Sequence, residues 1–159
     1  MNSLEKTNGY KIGVDIDGSH ITIALVSIQS NTVLKESYYR ERVDLHGTKD
    51  EIIDTWSKSI INSIGDFEIK DKKIGIAMPG PFDYNNGICL MKGNDKYTAL
   101  YGLNVKELLS EKLEISVTNI SLSNDAGCFL KGEVLSGAAK GYTNVIGIIL
   151  GTGLGYSYL

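Results

Sequence analysis

Two glycine turns with a carboxylate between them are the places where this chain could do chemistry. The first turn is Asp15-Ile16-Asp17-Gly18-Ser19, set between two alternating apolar runs. The second is Gly151-Thr152-Gly153-Leu154-Gly155, straight after the apolar run at 145–150. Between them, Asn124-Asp125 opens an amphipathic segment. Strand-ending glycine turns can cradle phosphate oxygens through backbone N–H groups, and a carboxylate can accept a hydroxyl proton. Together they predict ATP-dependent phosphorylation of a small alcohol such as a sugar. Neither turn is followed by Gly-Lys-Ser/Thr, so a P-loop is not expected. Each motif also has a plainer reading. Asp17-Gly18 suits a tight hairpin with no ligand, and Asp125 suits the first turn of a helix.

The elements that must position these residues follow from hydrophobic period. Tyr10, Ile12, Val14 and Ile16 alternate as a half-buried strand would, and Ile21, Ile23 and Leu25 continue the period after Gly18. A third strand over 33–43 would complete a three-stranded antiparallel opening. Thr48-Lys49-Asp50-Glu51 reads as a capping box, followed by Ile52, Ile53, Trp56, Ile60 and Ile64 at helical spacing. Gly65 should end that helix. A buried strand at 74–78 is closed by Pro79-Gly80-Pro81. Residues 82–101 form a long excursion with one short strand expected near 88–91; connections of that length usually serve function.

Asn104 and Glu107 cap a second helix, 115–122 reads as a strand, and a third helix starts near Asn124 and carries Ala126 to Ala138. Its glycines at 127 and 132 suggest close packing or ligand approach. The run 145–150 is apolar throughout, as in a strand covered on both faces. Its return strand is expected only beyond Leu159. The order predicts an α/β lobe at 1–115 and the start of a second, truncated lobe at 116–159.

Composition narrows the function. The 159 residues are 42% hydrophobic and 22% charged, with a net charge of −3, so nucleic acid is not an expected partner. Apolar runs fall short of the roughly 20 residues that span a bilayer, and no membrane association is expected. The first nine residues are polar, which predicts no secretory signal and a cytoplasmic setting. Cys89 and Cys128 lack metal-ligand spacing and read as buried thiols.

Taken in order, five motifs resemble the ROK family of repressors, open reading frames and sugar kinases. They are Gly13 to Ser19, Ala77 to Pro81, Asn124-Asp125-Ala126 with Gly132-Glu133, Gly137 to Gly141, and Gly151 to Gly155. The resemblance implies the actin-like, ribonuclease-H-like ATPase fold, with helices packed on a mixed sheet. It implies a glucokinase-like reaction using ATP and Mg²⁺ on a hexose or amino sugar. Asp125 would be the general base, and Asn124, Asn94, Gly80 and Glu133 would meet the sugar. Asp15 would lie by the Mg²⁺, through water. Gly18, Ser19, Gly151, Thr152, Gly153 and Gly155 would hold phosphate.

The chain also departs from the family pattern Asp-x-Gly-Gly-Thr-Lys: Asp17 replaces the first glycine and His20 the lysine. Gly127 stands where the base motif carries a second asparagine. Family kinases are about twice as long, and their Glu-x-Gly-His motif and zinc site are not found here. The chain alone is therefore expected to be inactive; the alternative is a non-catalytic sugar-binding or assembly module. A repressor is disfavoured, because the helix-turn-helix of such relatives precedes the first strand and only about nine residues do so here. The apolar run at 145–150, left uncovered, predicts a homodimer or higher oligomer.

Overall fold

The computed structural model describes residues 9–69, 71–93, 96–150 and 154–159. Strands β1 (Tyr10–Ile16), β2 (His20–Ser27) and β3 (Thr32–Arg42) form the antiparallel opening, followed by α1 (Lys49–Ile64) and β4 (Ile74–Met78). A small hairpin of β5 (Phe82–Asp83) and β6 (Ile88–Cys89) precedes α2 (Val105–Leu113), β7 (Ile120–Asn124) and α3 (Asp125–Ser136). The chain finishes with β8 (Ile146–Leu150) and β9 (Leu154–Tyr158).

Five strands make one mixed sheet in the order β3-β2-β1-β4-β7. β1 pairs antiparallel with β2 and parallel with β4, and β4 pairs parallel with β7. Period-two alternation sends Ile12, Val14 and Ile16, with Ile74, Ile76 and Met78, to one face. There they share a core with Ile52, Ile53, Trp56 and Ile60 of α1 and Leu109 of α2. The capping box forms as read: Thr48 Oγ1 accepts from the Glu51 N–H and the Thr48 N–H donates to Glu51 Oε2. Gly65, at φ +49°, ends the helix with its N–H on Ile61 O.

Four local readings are corrected. The strand expected at 115–122 starts at Ile120 and runs to Asn124. Glu114 ends α2 in the left-handed conformation, and Ser116 Oγ accepts from the Thr118 N–H to start a 3₁₀ turn at Val117–Asn119. This fifth strand of the sheet comes from beyond residue 115. The return strand expected beyond Leu159 is already present: β9 pairs antiparallel with β8, Leu150 opposite Leu154. Nor is β8 covered on both faces. Gly147 is buried against Leu130 of α3, while Ile146 and Leu150 stay 75% and 83% exposed. Among the described residues a Cβ at Gly127 or Gly132 would meet nothing within 4 Å, so neither glycine serves close packing there.

Candidate active site

Parallel register brings the chemical residues to one edge of the sheet. Asp15 of β1 lies opposite Ala77 of β4, and Met78 lies opposite Asn124 of β7. Asp15, the Pro79-Gly80-Pro81 segment and Asn124-Asp125 therefore gather at the carboxyl ends of the three parallel strands, where open α/β sheets bind ligands.

Asn124 is the N-cap of α3, its Oδ1 accepting from the Gly127 N–H at 3.2 Å. Its Nδ2 donates to Tyr84 Oη at 3.2 Å, and the Tyr84 hydroxyl donates to Met78 O at 3.0 Å. The same hydroxyl lies 3.1 Å from where a Cβ on Gly80 would stand. One phenol thus ties the Gly80 segment to the asparagine. Asp125, the first residue of α3, accepts from the Ala126 N–H at 2.8 Å, which orients its carboxylate.

The first turn is closed by its own acid. Asp17 Oδ1 accepts from the N–H groups of Ser19 at 2.6 Å and His20 at 2.7 Å. Desolvation pushes the Asp17 carboxyl up, but these N–H groups and the charge of His20 outweigh it and hold it below its usual range. Arg40 stands 3.8 Å from Asp17 Oδ2, an open pair worth little to stability. Tyr97, from the long excursion, donates its hydroxyl to Asp17 O at 2.6 Å. Its neighbour Lys96 crosses Gly18, with Nζ 3.2 Å from the place a Cβ there would take.

Asp15 titrates above its ordinary 3.8, first through desolvation, then through repulsion by Asp17 and Asp125, with Arg40 opposing. By linkage, a carboxyl raised by folding favours the native state fully below pH 3.8 and loses that benefit as pH rises through its folded pKa. Asp15→Asn should therefore raise the melting temperature at pH 7, with the gain vanishing below pH 3.8. Thermal melts at the two pH values check this, and a lowered melting temperature at pH 7 would contradict it. Cys128 is half-buried beside these acids; desolvation first, then Asp125 and Asp15, push its thiol up against the pull of Lys131 and Ser123.

Of the other expected site residues, Glu133 stands apart from this cluster. Glu133 is two turns along α3 from Asp125, and its carboxylate accepts from the Ala138 N–H at 2.7 Å. It lines a cavity of about 490 Å³ between α3 and β8, away from the acids. Gly155 sits on β9, where a Cβ would lie 3.5 Å from Ala126 Cβ, so β9 passes beside the start of α3. Asn94, Gly151, Thr152 and Gly153 lie outside the described residues. Tyr84, Lys96 and Tyr97 went unrecognised in the sequence; their only signal is membership of a long excursion rich in glycine and asparagine.

A mixed sheet with this strand order and acids at its parallel edge defines an actin-like ATPase fold. The ROK family model matches residues 11–159, and the chain belongs to the ROK family. It is 27% identical over 150 residues to a glucokinase of Thermotoga maritima, covering 91% of this chain and 42% of that protein. It is also 27% identical over 157 residues to a xylose repressor of Bacillus spizizenii, covering 94% of this chain and 37% of that protein. Among solved structures, a ROK glucokinase of Streptomyces griseus in complex with glucose and AMPPNP superposes with a TM-score of 0.78 at 25% identity. That match covers 95% of this chain and 44% of the glucokinase. The chain thus spans less than half the length of these relatives, and the family holds both kinases and repressors.

Proposed function

We propose that this chain carries the acceptor side and part of the phosphate side of an ATP-dependent sugar kinase. The observation that carries the reading is the convergence of Asp15 and the Asn124-Asp125 pair on one edge of the parallel strands. Asp125, oriented by the Ala126 N–H, takes the proton from the sugar hydroxyl as that oxygen attacks the terminal phosphorus. Asn124, aligned by Tyr84, faces the sugar, and Gly80 lets the Tyr84 hydroxyl come close. The turn at Gly18 and Ser19 faces the phosphate, and Gly151, Thr152, Gly153 and Gly155 would supply further phosphate contacts. Glu133, from farther along α3, and Asn94 would add further contacts to the sugar.

Asp15 suits Mg²⁺ held through water. Its carboxylate is hard, and the neighbouring acids deepen the negative potential around it. When bound, Mg²⁺ would neutralise charge on the transferred phosphoryl group.

One observation favours a non-catalytic sugar-binding module instead: Asp17 already occupies the N–H groups of Ser19 and His20. Release of ADP from ATP and Mg²⁺ with glucose or N-acetylglucosamine, measured beside sugar binding, tests the proposal. For the chain alone we expect turnover below about 1 s⁻¹, the low end for kinases, alongside measurable sugar binding. Ordinary turnover would overturn the partial-site reading, and the absence of both turnover and sugar binding would overturn the kinase reading itself.

A further inference from the structure

We propose that Lys96 supplies the positive charge that holds a phosphate at the first turn. This rests on the kinase reading above and names the group that makes the turn work. Three observations lead to it. First, the turn's own donors are committed. The N–H groups of Ser19 and His20 both point at Asp17 Oδ1, so an arriving phosphate meets a carboxylate rather than an empty nest. Like charges at that distance repel unless a cation stands between or beside them.

Second, such a cation is there. An ideal Cβ on Gly18 would stand 3.1 Å from Lys96 Cε and 3.2 Å from Nζ, so the bare glycine lets the ammonium lie against the turn. Position 20 is engaged within the turn itself. It is a histidine whose Nδ1 is 2.8 Å from Ser19 Oγ and whose backbone pairs with Arg42 across the sheet.

Third, Lys96 is held in place from the next residue. Tyr97 is fully buried, with its ring edge-on to Trp56 at a centroid separation of 5.2 Å. Its hydroxyl donates to Asp17 O and its N–H to Leu45 O. The backbone that carries Lys96 is thus bolted to the turn that its side chain crosses. An ammonium fixed beside a glycine suits the terminal oxygens of a polyphosphate chain, as in a nucleoside triphosphate.

Titration of the ¹⁵N-labelled chain with inorganic tripolyphosphate, followed by ¹H–¹⁵N NMR, tests the proposal without requiring an adenine pocket. The wild-type chain should show saturable shifts at the Gly18 and Lys96 amides. Lys96→Met should weaken that binding by about tenfold, the scale of one charged hydrogen bond. Lys96→Arg, which keeps the charge, should stay within about threefold of wild type. Well-dispersed spectra of both variants would establish that they fold. If Lys96→Met binds as tightly as wild type, the inference falls and the kinase reading stands. If the wild-type chain shows no saturable shift at the turn, the inference and the phosphate half of the reading fall together. A parallel glucose titration that still shifts Asn124 and Asp125 would then preserve the acceptor half.

Discussion

A Trp56→Ala chain should be about 3–5 kcal/mol less stable than wild type. Trp56 is completely buried at the centre of α1, among the residues that join that helix to the sheet. Truncation removes its apolar area and leaves a cavity that packed neighbours cannot fill. For a chain of this size each kcal/mol moves the melting temperature by roughly 2–4 °C, so the shift should be plain in a thermal melt. The loss should also reach the site, because the Tyr97 ring leans on Trp56 while its hydroxyl holds the first turn at Asp17. Trp56→Phe separates packing from volume. The Trp56 Nε1 finds no acceptor among the described residues, and phenylalanine removes that desolvated donor while keeping a ring. The Phe variant should lose less than half of what the Ala variant loses. Equal losses would contradict the packing described for this helix.

Asp125→Ala should weaken sugar binding by at least tenfold, since a hydrogen bond to a charged group contributes about 1.5–3 kcal/mol. Helix α3 should survive the change. Its N-cap is Asn124, whose Oδ1 bond to the Gly127 N–H does not depend on residue 125. Only the local Ala126 contact and a favourable first-turn charge are lost, a few tenths of a kcal/mol to about 1 kcal/mol. Calorimetric titration of the variant checks the affinity, and its far-UV spectrum checks the helix. Undiminished sugar affinity in a folded Asp125→Ala chain would remove the carboxylate from the acceptor role.

What could be read in the sequence was whatever local chemistry determines. The capping box at Thr48 and Glu51 and the stripe from Ile52 to Ile60 specify α1 without reference to anything distant. Asp15, Asn124 and Asp125 were legible for the same reason: each belongs to a short motif at the end of an apolar run. The strand at Ile120 was placed too early because Ile115 and Val117 extend the apolar pattern. Nothing in that pattern signals the left-handed Glu114 or the Ser116 turn. The return strand was missed because Leu154 and Gly155 were read only as part of a phosphate turn. In the fold, Leu154, Gly155 and Tyr156 pair back onto β8. Tyr84 and Tyr97 could not be found at all. Their partners lie 40 residues away at Asn124 and 80 residues away at Asp17, and no local spacing encodes such contacts.

The central claim is that the edge formed by Asp15, Asn124 and Asp125 binds a sugar beside a phosphate. Its most direct test is calorimetric titration of the wild-type chain with a panel of hexoses and amino sugars, with and without ATP and Mg²⁺. Saturable binding of at least one sugar is the result this account predicts. A chain that is folded, yet binds no member of the panel under either condition, would contradict it.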